Sequence, residues 1–225
     1  MRRLRSTRIL LAVAATALLL LVVAQVVLPR IAAHTISSRV GRYGSVASVD
    51  VSAFPALELL WGSADSVRVR ARTLALSPAH AAALLWEGRG VERMDVRAEH
   101  VTIGPLRLSD ATLSKRGRLL RARAQASAAD VAAALPPGFG VRLVSSGGGR
   151  VEVQASGGLF GVGSSVPAVA QALGGRLIAH PLGALVEGFQ LTLFSDRHVF
   201  VEGVGASVEG TPPRRYSLSM DASLR

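Results

Sequence analysis

The chain has 225 residues, 26 of them Lys or Arg and 15 Asp or Glu, with no cysteine. A hydrophobic fraction of 49% and a positive mean hydropathy exclude a disordered or collagen-like chain. The missing cysteines exclude disulfides, thiolate metal sites, a catalytic thiol and lipoprotein acylation. All the basic residues but Lys115 are Arg, and Asn is absent; a GC-rich coding sequence produces this bias, so arginine abundance alone points to no partner.

Arg2, Arg3, Arg5 and Arg8 precede an apolar run, Ile9–Leu28, interrupted only by Thr16 and Gln25. Its twenty positions, at about 1.5 Å of rise each, span roughly 30 Å, the thickness of a bilayer core. The run holds no charged side chain, and the arginines before it place the N-terminus in the cytoplasm. The pattern predicts a cytoplasmic Arg-rich stretch over 1–8, a transmembrane anchor or signal segment over 9–28 and an extracytoplasmic domain over 30–225. Val22-Val23-Ala24 offers a cleavage site after Ala24, but a signal peptide needs an apolar stretch of only about 7–15 residues, and this run continues past that point. Either way the remainder is exported. Residues 31–225 carry a net charge of +6, too dispersed for a nucleic-acid face; an anionic lipid surface suits it better.

Beyond Pro29, Ile31, Thr35, Ile36 and Val40 recur at near-helical spacing, predicting a short helix over 30–42 with Gly41 and Gly44 as stops. The period then becomes two. Val49 and Val51, Val67 and Val69, Val91 to Ile103, Leu106 and Leu108, Leu120 to Ala126, Val151 and Val153, Phe189 to Phe194, His198 to Val208 and Tyr216 to Leu224 read as half-buried strands. Ser77-Pro78 and Ser127-Ala-Ala-Asp130 open two short helices as caps. Gly104-Pro105, Lys115-Arg-Gly117, Ser146 to Gly149, Ser195-Asp196 and Thr211-Pro-Pro213 mark turns. Residues 157–183 are broken by glycines, with Val166–Leu173 and Arg176–Ala179 as candidate strands. Many antiparallel strands with few helices give an α+β class.

The sequence offers little chemistry. No serine satisfies Gly-x-Ser-x-Gly, and Gly161-Val-Gly163-Ser-Ser completes neither a dinucleotide nor a phosphate loop. His34, His80, His100, His180 and His198 form no metal-ligand spacing. Glu92, Asp95 and Glu99 alternate with Arg93 and Arg97 as a solvated strand face, leaving Glu58 and Glu87, in apolar surroundings, as the best acid candidates. No catalytic residue, metal or cofactor is assigned. Apolar residues say more. Phe54-Pro-Ala-Leu57-Glu-Leu-Leu60-Trp61 is too short for an ordinary helix and too bulky for an ordinary loop, and Leu84-Leu85-Trp86 is similar. Both fit core packing, a wall of a lipid slot or a lip that dips into a membrane. Strand faces lined by Ala, Val and Leu fill a concavity poorly and leave room for an acyl chain.

The Arg-led anchor, the segment Val49-Asp-Val-Ser-Ala-Phe-Pro-Ala-Leu-Glu-Leu-Leu-Trp-Gly62, Asp65-Ser-Val-Arg-Val69 and Gly104-Pro-Leu-Arg-Leu-Ser-Asp110 resemble the LmeA-like family of actinobacterial phospholipid-binding proteins. The resemblance runs through most of residues 30–210 and implies a cell-envelope protein that binds phospholipid. It also implies a long, curved, mainly antiparallel sheet wrapped around one or two short helices, as in tubular lipid-binding domains. Phe54, Pro55 and Leu57 transfer as pocket or lip residues. The Gly-rich stretch 157–182 and the tail after Thr211, which reads as an addition, depart from the pattern. The function expected is non-enzymatic: Phe54, Pro55, Leu57, Leu60, Trp61, Leu84, Leu85 and Trp86 hold lipid, and Arg68, Arg70 and Arg72 meet anionic headgroups. The rivals are an envelope scaffold that binds proteins through strand edges and an enzyme using Glu58 or Glu87.

Overall fold

A computed structural model describes residues 22–135, 138–159, 162–182, 190–209 and 215–225. The side chains of Leu57 and of residues 158–164 lie outside the described part. Residues 1–21, which hold most of the apolar run, also lie outside it. Helix α1 begins the described chain and covers residues 22–40. Among the described residues no helix is long and apolar enough to cross a membrane. The helix expected over 30–42 is the second half of α1, which passes through Pro29 and ends in a 3₁₀ turn, Gly41–Tyr43.

The strands follow as β1 (Gly44–Ser52), β2 (Ala64–Leu76), β3 (Val91–Ile103), β4 (Leu106–Arg116), β5 (Leu119–Ser127), β6 (Phe139–Gly147), β7 (Arg150–Leu159), β8 (Val162–Leu173), β9 (Arg176–Pro181), β10 (Leu191–Phe194), β11 (Val199–Glu209) and β12 (Arg215–Leu224). Helix α2 (Pro78–Glu87) connects β2 to β3, the one parallel pair among the described residues, and α3 (Ala128–Ala133) follows β5. Both short helices start as the serines dictate. The amide of His80 donates to Ser77 Oγ at 3.1 Å, and that of Asp130 to Ser127 Oγ at 3.0 Å.

The single long sheet expected is two: seven strands in the order β1-β2-β3-β4-β5-β12-β11, and five in the order β10-β9-β8-β7-β6. The reason lies in the C-terminal segment, which is built into the large sheet. Strand β12 pairs with β5 along its whole length, from Arg215–Ser127 to Ser223–Leu119, and so occupies the edge on which β6 would otherwise continue. Strand β11 then crosses the turns of the second sheet. The amide of Val201 donates to the Gly175 carbonyl at 3.0 Å, that of Val204 to Gly149 at 3.1 Å, and that of Ala206 to Ser146 Oγ at 2.9 Å.

Alternation along β2 puts Val67, Val69, Ala71 and Leu74 inside and Arg68, Arg70 and Arg72 outside. Ile36 and Val40 of α1 pack on that inner face over β1–β4. Ala82 and Leu85 of α2 pack over Leu120, Val199, Ala222 and Leu224. Helices α1 and α2 therefore both pack on the inner face of the large sheet. Lys115 belongs to β4 rather than to a turn and is fully buried. Its Nζ donates to the carbonyls of Arg89, at 3.2 Å, and of Val91. Burial pushes its pKa down, against the pull of the nearby Glu92 carboxylate. His180 likewise lies in β9 and not in a loop.

Candidate functional site

At the end of the large sheet where β1 turns into β2, residues Ala53 to Ser63 form a lip. The usual arrangement of sizes is inverted here. Ala53 and Ala56, 4% and 1% exposed, face inward, while Phe54, Leu60 and Trp61 stand 77%, 64% and 76% exposed. Small side chains let the backbone settle onto the domain and turn the bulky ones out. The Phe54–Pro55 peptide is cis, and a 3₁₀ segment, Ala56–Trp61, follows, closed by Gly62 in the left-handed region at φ 75°. A β-carbon on Gly90 would stand 2.5 Å from the Gly62 carbonyl oxygen, so the turn that ends α2 rests directly on the lip.

Two polar side chains fix this segment. Gln25 of α1 accepts from the amide of Ala56 through Oε1 at 2.9 Å and donates through Nε2 to the Ala53 carbonyl at 3.0 Å. Asp65 Oδ2 accepts from the amide of Phe54 at 2.8 Å. Sequence reasoning treated Gln25 only as an interruption of an apolar run. The signal was there, because an amide in an apolar helix must find partners, but only the tertiary structure names them.

The remaining candidates are placed differently. Leu57 lies in the 3₁₀ segment, its side chain outside the described part. Leu84 and Leu85 are half-buried on α2, and Leu85 packs into the core. The Trp86 ring stacks on His198 at 4.0 Å between centroids, with the Arg89 guanidinium 4.7 Å from the ring centroid. Arg68 lies level with Asp50 and Asp95, and Arg70 with Ser48 and Arg97, all on the outer face. Nearer the lip, level with the Ser52–Ser66 pair, come Arg93 and Arg116, which the sequence reading did not single out as headgroup residues. Glu87 pairs with Arg39 at 3.0 Å on the surface. Among the described residues no group of three acidic or histidine side chains is placed to hold a metal.

The second sheet presents a further apolar surface. Register puts Val141 opposite Ala155, Ala155 opposite Val166, Val153 opposite Ala168 and Ala170 opposite Ala179, all half-buried and on one face. Leu177 and Phe194 extend that face, and Phe194 packs against the core beneath α2. Two open depressions differ in character. One of about 430 Å³ lies where β11 crosses the second sheet, between Gly148, Arg150, Gln171 and Glu202. The other, about 320 Å³, lies on the outer face among Asp95, Arg97, Thr112, Arg121 and Arg123.

The described residues thus form two open, mainly antiparallel sheets with short helices and with strand faces lined by Val and Ala. The comparison with known families is more specific: residues 20–195 match the model of the LmeA-like phospholipid-binding family. The chain belongs to that family. No curated protein and no solved structure matches it.

Proposed function

We propose that the protein binds phospholipid at the outer surface of a membrane to which it is anchored, and that it serves the cell envelope by holding or shuttling that lipid. The observation that carries the reading is the half-buried Val and Ala face of β6–β9, continuous through Phe194 with the core under α2. Burying methylenes there gains about 0.8 kcal/mol each, so ten of them contribute roughly 8 kcal/mol, enough to retain one acyl chain. The valine and alanine side chains of β7 and β8 on that face leave space over the sheet for such a chain. Membership of a phospholipid-binding family supports the same ligand. The apolar run Ile9–Leu28 supplies the anchor, and the arginines before it keep the N-terminus cytoplasmic. Outer-face arginines, Arg68, Arg70 and Arg72 among them, favour an anionic headgroup.

The test is photolabelling of the full chain, reconstituted into vesicles that contain a phospholipid with a diazirine on its acyl chain. Label on peptides covering Val151–Ala172 is the expected result. Label confined to residues 9–28 in a folded protein would overturn the acyl-chain site and favour a scaffold that binds proteins through its strand edges.

A further inference from the structure

We infer that the Phe54–Trp61 lip is an interfacial membrane anchor, held by Gln25 at the edge of the bilayer's hydrocarbon core. The inference rests on the anchored reading above and adds a second contact between the domain and the bilayer. Gln25 bonds the lip backbone at Ala53 and Ala56, and it lies only three residues before Leu28, the end of the apolar run. Three residues of helix are about 4.5 Å. The lip backbone is therefore attached inside the apolar run, not beyond it.

Length leads to the same place. From Ile9 to Ala24, the part of the run before the Gln25 contact, there are sixteen residues, a number that would cover about 24 Å at helical rise. A bilayer core of roughly 30 Å is not spanned by that stretch alone. Complete insertion of the run brings the lip down by the missing distance of about 6 Å.

The exposed side of α1 marks the same level. Val22, Val23, Val26 and Val27 are exposed, and they are followed on the exposed side by Arg30, Ile31, His34, Thr35, Ser38 and Arg39. Polarity changes from Arg30 onward, with Ile31 as the exception. Phe54, Leu60 and Trp61 belong to the segment fixed on the apolar side of that boundary. Exposed Phe, Trp and Val side chains are costly in water and favourable at the boundary of a bilayer, where an indole presents an apolar body and a polar N–H. The occupant of this surface is accordingly the bilayer that α1 enters, and not a second protein. Further from the lip the outer face turns basic, from Arg93 and Arg116 onward, as a surface emerging into a headgroup layer requires.

Tryptophan fluorescence of the full chain in phosphatidylcholine vesicles tests the inference, because bromine on the lipid acyl chains quenches only at short range. The chain has two tryptophans, Trp61 and Trp86. The expected result is a loss of emission in brominated vesicles for the wild type and no such loss for Trp61→Phe, whose remaining Trp86 is stacked on His198. Equal quenching in the two proteins, or none in either, would overturn the inference. So would a blue shift that grows with protein concentration and ignores bromine, which would assign the lip to a second copy. Trp61 is exposed, so its replacement leaves the core intact. Leu60→Asp provides an independent variant, expected to shift Trp61 emission to the red in vesicles. Photolabelling of β7–β9 in the same vesicles separates the two readings. Label without Trp61 quenching removes the lip alone, and quenching without label removes the acyl-chain site alone.

Discussion

One carboxamide, that of Gln25, satisfies both the Ala53 carbonyl and the Ala56 amide, at 3.0 and 2.9 Å, and so ties the first helix to the lip of the large sheet. Between those two alanines stand Phe54 and the cis Pro55. The orientation of Phe54, the most exposed aromatic residue among those described, therefore depends on a residue about thirty positions earlier in the chain.

Gln25→Ala removes both bonds and leaves two part-buried backbone groups unpaired. At about 1 kcal/mol net for each bond, the loss is about 2 kcal/mol. It falls on the lip rather than on the sheet. Hydrogen exchange should accelerate in peptides covering Ala53–Trp61 and stay unchanged over Val67–Ala71; equal acceleration of both would show that the bond supports the whole fold instead.

Leu60→Asp places a charge on a side chain already 64% exposed. The denaturation midpoint should stay within about 0.5 kcal/mol of the wild type, as for most surface changes. Quenching of Trp61 by brominated acyl chains should weaken in the vesicle-inserted variant. Unchanged quenching would count against the lip.

Gly174 and Gly175 both have positive φ, 59° and 80°, so alanine at either costs about 1–2 kcal/mol of backbone strain. They differ in surroundings. A β-carbon on Gly174 meets nothing within 4 Å, whereas one on Gly175 would stand 2.1 Å from the Phe200 ring. Gly175 also accepts the Val201 amide that joins the two sheets. Gly175→Ala should be the more destabilising by at least about 1 kcal/mol, the low end for overpacking, as read from chemical denaturation of the pair.

Lys115 is the single lysine, fully buried, and two consequences follow. An amine-reactive ester should leave its Nζ unmodified in the folded protein and acylate it once the chain opens, so the rate of labelling reports opening. The pH dependence has a definite sign. Burial lowers the folded pKa below 10.5, so between the lowered value and 10.5 the unfolded chain binds more protons than the folded one. Stability should therefore rise with pH through that window. Lys115→Met should flatten the rise while leaving the Arg89 and Val91 carbonyls without their donor.

The α+β class, most strands, both serine caps and the family were legible in the residues, because each rests on local rules. A period of two in Val67-Arg-Val69 marks a half-buried strand wherever it lies, and a serine caps the helix that starts beside it. Phe54, Leu60 and Trp61 were also legible as unusual, since so compact an apolar segment between strands needs a special reason. Pairing between distant segments was not legible. Val-rich runs carry no label of their neighbours, so nothing local shows that Arg215–Leu224 inserts beside β5 and thereby divides one long sheet into two. Lys115 stood in a stretch with turn residues, and its burial follows only from the Arg89 and Val91 carbonyls brought to it across β3. The sequence by itself determined the elements, their faces and the family, because periodicity and capping act within a few residues. The tertiary structure alone decided which strands meet, that Gln25 holds the lip, and that bulky side chains at its tip face outward, because these depend on contacts between residues tens of positions apart.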